Sequence, residues 1–294
     1  MFTFHLPPTG ETPGCHPLTL GRSLADFPLA NLSLRRHQLA VLLAAGLIET
    51  PAAEADLWVE PAAWLVPAEV TAFVAGGTYQ TMTDGSGAEL IRRKDGSRSF
   101  AATQSFVIAF AWDLLRANAE AMSRQQDYVQ ESIAHASLYV DGRLQVGRRT
   151  RILPGVVIEG DVIIGDNCKV GPNCYLRGST SIGDECHVGQ AVEIKNSIVL
   201  SGTNVGHLAY LGDSILGEKV NFGAGTITSN LRHDGGTHRT PVYGRMVDTG
   251  RRKLGALVGD GVHTGIHTSI YPGRKLWPCA TTPPGASVNK DILL

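Results

Sequence analysis

Read from Val146, every sixth residue is aliphatic over nine successive positions: Val146, Ile152, Ile158, Ile164, Val170, Leu176, Ile182, Val188 and Ile194. Glycine follows directly in Val146-Gly147, Ile164-Gly165, Val170-Gly171, Ile182-Gly183 and Val188-Gly189. Four residues beyond these aliphatics stand small or β-branched residues, among them Val156, Val162, Cys168, Cys174, Thr180, Cys186 and Val192. A period of six suits neither an amphipathic helix nor an alternating strand. It suits a parallel β-helix, in which short strands wind round a central core. The aliphatic fills the interior, a glycine or small polar residue turns the corner, and three hexads close one coil. Residues 18 apart then stack at about 4.8 Å, the ordinary strand spacing. The phase slips after Ile194 and resumes at Val205 and Leu211, again at Leu216, Phe222 and Thr228, and finally at Val258, Thr264, Ile270 and Leu276.

The repeat occupies only part of the chain. Residues 1–130 carry nine Lys and Arg against 13 Asp and Glu, whereas residues 131–294 carry 17 against 14. The first part is rich in Ala and Leu, the second in Gly, Val and Ile, so two domains are expected, 1–130 and 131–294. With 43% hydrophobic and 18% charged residues there is ample material for a core. A net charge of −1 argues against a nucleic-acid binder. The longest apolar run, near Leu39 to Leu47, is too short to span a membrane. The first residues lack the basic-then-apolar pattern of a secretory signal. A cytoplasmic protein without a membrane partner is expected.

The register assigns further residues. Cys168 and Cys186, 18 apart, belong to one interior column, with Cys174 on a neighbouring wall. Small buried thiols there are packing elements, and with no CxxC pair the five cysteines suggest neither a disulfide framework nor a zinc site. Arg177 and Lys195, also 18 apart, stack on adjacent coils. Two stacked cations make either a phosphate clamp or a pair of solvated side chains. His207 and Tyr210 fall where the repeat slips. His263 and His267, four apart, do not share a face on a β-helix, and no metal is expected.

The stretches GPNCYLRG, HVGQAVEIKNS, GHLAYLGDSILGEKVNFGAGTITSN and GRRKLGALVGDGV resemble one family specifically. This is the bifunctional N-acetylglucosamine-1-phosphate uridyltransferase/glucosamine-1-phosphate acetyltransferase family, in its archaeal-type sugar-1-phosphate nucleotidyltransferase/acetyltransferase branch. The resemblance covers about residues 140–294. It implies a left-handed, triangular hexapeptide β-helix, a homotrimer with sites in the clefts between subunits, and acetyl-CoA as acyl donor. It puts the catalytic base on His207, substrate phosphate and sugar contacts on Arg177, Lys195, Tyr210 and Asn221, and a backbone contact to acetyl-CoA on Ala224. The lysine that reaches in from another subunit falls on Lys253, beyond an insertion at residues 229–252 that carries five arginines, Arg232, Arg239, Arg245, Arg251 and Arg252. Where the family has a serine near the thioester, this chain has Ile266. A histidine titrating near neutrality suits acyl transfer, because it takes the proton of the attacking amine.

The first 130 residues carry scattered echoes of the family's α/β nucleotidyltransferase domain. They are Arg22 to Leu39, ending in a helix stopped at Ala45-Gly46; a strand at Ala55–Val59; a helix starting at Pro67; and a linker helix near Trp112–Asn118. The Gly-rich phosphate loop LxAGxGxRM is missing, and Pro7-Pro8 and Pro13-Gly14 look like loop. A small, degenerate nucleotidyltransferase-like domain is therefore expected, without nucleotidyl transfer. The expected activity is acetyl-CoA-dependent N-acetylation of an amino sugar phosphate such as glucosamine-1-phosphate. The alternative is a protein related to UDP-N-acetylglucosamine pyrophosphorylase that binds a sugar nucleotide, with or without turnover.

Overall fold

The computed structural model describes residues 2–124, 128–129 and 133–293. The domain boundary expected between residues 130 and 131 lies outside the described residues. The chain forms two compact units: Met1–Thr12, Arg22–Pro28 and Leu32–Ala109 in the first, and Pro13–Gly21, Leu29–Asn31 and Phe110–Leu294 in the second.

The second unit is a left-handed parallel β-helix. Its first face is an eight-stranded sheet that includes Lys169–Val170, His187–Gln190, Asn204–His207, Asn221–Phe222 and His263–Thr264. The second face carries Tyr175–Arg177, Glu193–Lys195, Tyr210–Gly212, Ile227–Thr228 and Ser269–Ile270. The third carries Thr180–Ile182, Ile198–Val199, Ile215–Leu216, Leu257–Val258 and Lys275–Leu276. The long strand Val157–Ile164 runs through the corner between faces 2 and 3 and joins them into one sheet. Every rung pairs in parallel with the next, so backbone hydrogen bonds run along the axis while side chains point alternately inward and outward.

The hexad aliphatics form the interior. Val188, Ile194, Leu211, Leu216 and Val258 are fully buried in one continuous core. Cys168, Cys174 and Cys186 lie in the same core, and their thiols donate to the carbonyls of Gly183 (3.1 Å), Gly189 (2.6 Å) and Leu200 (3.3 Å). Burial pushes the Cys174 thiol up to about 11, so the group is inert.

The slips of the repeat have a defined place. Ile194 to Val199 and Leu211 to Leu216 are each one residue shorter than Leu176 to Ile182, and Thr228 to Val258 holds the insertion. All three irregularities sit at the corner between faces 2 and 3. The corner joining His207 to Tyr210 is regular, with six residues from Val205 to Leu211 as from Val188 to Ile194. The expectation that His207 and Tyr210 lie in a slipped segment is therefore corrected: the missing residues are taken out beside Lys195 and Asp213.

Face 3 is covered by the chain's own N-terminal segments. The helix Asp113–Ser123 presents Asn118, whose Oδ1 accepts from Ala30 N (2.7 Å) and Ser181 Oγ (2.9 Å), and Asn31 Nδ2 donates to Ile182 O (2.8 Å). The outward residues of that face, Ser181, Ile198, Ile215, Leu257 and Lys275, are buried. The strand residues expected to form the site stand on faces 1 and 2.

The first unit is a small α/β domain. Its six-stranded mixed sheet runs in the order Ile48–Glu49, Thr3–His5, Leu57–Val59, Glu89–Arg93, Tyr79–Thr83, Arg98–Ala101. Two further helices belong to this unit, Leu34–Ala44, capped by Ser33, and Pro67–Ala75, which starts on its proline. Phe4, Leu42, Leu57, Phe73, Met82 and Ile91 form its core. The loop 103–105 is fastened by the Glu69 carboxylate, which accepts from the backbone N–H groups of Thr103 (2.7 Å), Gln104 (3.0 Å) and Ser105 (2.8 Å). No described helix is long and apolar enough to cross a membrane.

Candidate active site

Arg177 and Lys195 are Cα partners on adjacent rungs of face 2, as the 18-residue spacing predicts. Each has a carboxylate partner. Arg177 pairs with Glu193 (2.7 Å) and lies 5.2 Å from the Tyr175 ring centroid. Burial alone would lower the Arg177 pKa, but Glu193 outweighs it and the guanidinium stays firmly charged. Lys195 pairs with Asp213 (3.6 Å), both largely buried. Burial lowers the Lys195 pKa, Asp213 partly restores it, and Lys253 and Arg177 lower it further.

Lys253 thus meets Lys195 of its own chain. The insertion explains how. It leaves face 2 after Thr228, forms an antiparallel hairpin (Arg239–Val242 with Arg245–Asp248), and closes at its base where Leu231 pairs with Lys253. The base is held by the Asn230 carbonyl, which accepts from Leu254 N and His238 Nε2, both at 3.0 Å. Its arginines bond largely within the arm: Arg232 to Asp234 (2.5 Å), Arg251 Nε to Lys253 O (3.3 Å), Arg252 Nε to Gly235 O (3.1 Å). A cavity of about 560 Å³ opens beside this base, lined by Ser229, Leu231, Arg232 and Tyr271 among others; of the residues singled out in the sequence, Arg232 alone lines it.

Tyr210 stands on the same face, one rung beyond Glu193. Its hydroxyl accepts from Asn230 Nδ2 (3.2 Å). Burial, with Glu193 and Asp213 nearby, raises its pKa, so the phenol keeps its proton.

His207 ends the face 1 strand Asn204–His207, paired with Gln190, and its side chain is exposed. It stands at the corner with face 2, three residues before Tyr210. The backbone column there runs from His207 to Ala224 to Ile266, since His207 O accepts from Gly225 N (3.0 Å) and Ala224 O from His267 N (2.8 Å). Ala224 is therefore one coil beyond His207, and Ile266, half exposed, one coil further. Asn221 does not join the cation cluster. It lies in the outward row of face 1 that pairs His187, Asn204, Asn221 and His263. His187 in that row has its pKa lowered by burial, by Lys169 and by His207. His263 lies in that row, whereas His267 turns the next corner with a φ of 55°. Among the described residues no group of three or more His, Cys, Asp or Glu is placed to hold a metal.

Three residues of the cluster went unassigned in the sequence: Glu193, Asp213 and Asn230. The stacking period reaches Glu193 and Asp213, which lie one rung from Arg177 and Lys195. Nothing local marks Asn230, because its position depends on how the arm closes.

Residues 158–271 match the family model described as the GMPPB C-terminal domain. A bifunctional sugar-1-phosphate nucleotidylyltransferase/acetyltransferase of Sulfurisphaera tokodaii is 47% identical over 102 residues, which is 35% of this chain and 25% of the relative. The bifunctional protein GlmU of Methanococcus aeolicus is 36% identical over 181 residues, 62% of this chain and 44% of the relative. The GlmU of Methanococcus maripaludis strain C7 is 44% identical over 100 residues, 34% of this chain and 24% of the relative. The alignments thus span a quarter to under half of these relatives. Within that shared part, the chain is similar to proteins named bifunctional sugar-1-phosphate nucleotidylyltransferase/acetyltransferase and GlmU.

Proposed function

We propose that the chain is an acetyl-CoA-dependent N-acetyltransferase acting on an amino sugar phosphate, with glucosamine-1-phosphate the first acceptor to try. The observation that carries this reading is the stacking of Arg177 and Lys195 on face 2, with Lys253 of the arm beside Lys195, a single corner away from the exposed His207. Three cations balanced by Glu193 and Asp213 leave one net positive charge, which a phosphate neutralises.

In this reading Arg177 and Lys195 hold the phosphate, Lys253 adds a third charge, and Tyr210 bonds the sugar or the developing oxyanion. Asn221 contacts the acceptor from face 1, and the Ala224 backbone contacts the acetyl-CoA. The amine nitrogen attacks the thioester carbonyl carbon directly. His207 takes the amine proton as the C–N bond forms, the C–S bond breaks, and the proton passes to the departing thiolate. The acting form is a homotrimer.

Thiol release from acetyl-CoA with glucosamine-1-phosphate tests this, wild type beside His207→Ala, with sedimentation giving the oligomeric state. Acetyl transfer that falls by about 10²–10⁴-fold in the variant supports the base assignment. Unchanged turnover in the variant removes His207 from that role. Absence of thiol release with every amino sugar phosphate overturns the acetyltransferase reading. Pyrophosphate formed from UTP and N-acetylglucosamine-1-phosphate in a parallel assay would instead favour a nucleotidyltransferase.

A further inference from the structure

The cation cluster is organised by a carboxylate that the proposed reaction does not itself use. Asp213 sits at the corner between faces 2 and 3 with a φ of 48° and is 3% exposed. Its backbone is fixed on both sides, N–H to Lys195 O (2.8 Å) and carbonyl from Gly255 N (2.9 Å). Its Oδ1 accepts from Asn196 Nδ2 (3.3 Å), while Oδ2 accepts from Asn230 Nδ2 (2.6 Å) and lies 3.6 Å from Lys195 Nζ. Burying a carboxylate is unfavourable unless its oxygens are paired, and here both oxygens are paired, Oδ2 with Lys195 and Asn230.

The second bond from Asn230 gives this arrangement a consequence for Tyr210. The same Nδ2 donates to Asp213 and to the Tyr210 hydroxyl oxygen (3.2 Å). An amide nitrogen has two hydrogens. One is directed to Asp213 and the other occupies a lone pair of the phenol. The phenolic proton then stays available to donate outward. Asp213 also supplies the counter-charge that keeps Lys195 protonated beside Lys253.

We propose that Asp213 is a positioning residue of the acceptor site: it fixes the Lys195 ammonium and, through Asn230, orients Tyr210 as a hydrogen-bond donor. This rests on the acyl-transfer reading for its kinetic consequences, but not for its effect on phosphate binding.

The test is Asp213→Asn, a near-isosteric change that removes the charge and sets an amide against Lys195 and Asn230. Ser197→Ala, which removes a hydroxyl from the neighbouring short corner, serves as a control for corner packing. Steady-state rates are measured with glucosamine-1-phosphate and acetyl-CoA varied in turn, and glucosamine-1-phosphate binding is measured by calorimetry without the donor. The expected result is an acceptor KM and Kd raised by about tenfold in Asp213→Asn, an unchanged KM for acetyl-CoA, and an acceptor KM close to wild type in Ser197→Ala. A folded Asp213→Asn variant with unchanged or lowered acceptor KM and Kd overturns the proposal, because the carboxylate would then only repel the phosphate. Equal loss in both substrates, or equal loss in Ser197→Ala, makes Asp213 structural and also overturns it. Wild type that binds glucosamine-1-phosphate without turnover would sink the acetyltransferase reading while leaving the calorimetric comparison to decide Asp213. Absence of binding to the wild type would overturn both.

Discussion

Lys195 and Lys253 stand side by side although 58 residues separate them, and the carboxylate that pairs with Lys195 there is Asp213. Two adjacent ammonium groups are stable only with negative charge nearby. This juxtaposition underlies the first two predictions.

Lys253→Met removes one of the groups that lower the Lys195 pKa. The sign follows from the direction of that shift. Lys195 is protonated below its lowered pKa, so binding of a phosphate-bearing acceptor persists there and is lost as pH rises through it. In Lys253→Met the alkaline limb of acceptor binding moves to higher pH, while affinity below the limb falls by about tenfold. Calorimetric titration with glucosamine-1-phosphate between pH 7 and pH 10 measures both effects. A limb that moves to lower pH contradicts the assignment.

Tyr210→Phe removes the hydroxyl and leaves the ring. With Asn230 donating to the hydroxyl oxygen, the lost group is a donor toward the ligand. The expected effect is a fall in kcat/KM of about tenfold, with the folded state retained, measured by thiol release beside circular dichroism. A rate equal to wild type would remove Tyr210 from the site.

Two neighbouring glycines of face 1 are expected to differ. A Cβ on Gly189 meets the Gly206 carbonyl oxygen at 1.7 Å, whereas one on Gly206 has open space. Gly189→Ala therefore forces the rungs beneath His207 apart and lowers stability by about 3 kcal/mol. Gly206→Ala leaves stability unchanged or slightly raised. Urea denaturation of both variants checks this, and equal midpoints would contradict the packing.

Acid stability of the first unit depends on Glu69. Burial alone would raise its pKa, but the bonds from Ser105, Thr103 and Gln104 bring it down to about 2. A carboxylate with a lowered folded pKa contributes stability that is complete above the unfolded value of about 4.3 and is lost as pH falls toward 2. Glu69→Gln should lower the melting temperature at pH 7, and the gap to wild type should narrow between pH 4.5 and pH 2. A gap that is constant over this range would show that charge is not involved.

The β-helix was legible in the chain because its constraint is local and repeated. Each hexad has one interior position, and a polar residue at Val188 or Leu211 would be buried on every side. The column of Cys168 and Cys186 and the pairing of Arg177 with Lys195 follow from the same count. The helices ending near Ala45 and starting at Pro67 were visible for an equally local reason, a glycine stop and a proline start.

What the repeat could not specify is where its breaks fall in space. Two missing residues and a 24-residue insertion look like scattered slips along the sequence, yet all lie at one corner, beside Lys195. Position along the chain determined that Arg177 and Lys195 stack. Only the closing of the arm, through Leu231 with Lys253 and Asn230 with His238, decided that Lys253 and Asn230 join them. Stacking by a fixed period is written into each short segment, whereas contacts across an irregular loop depend on the whole set of hydrogen bonds that hold it.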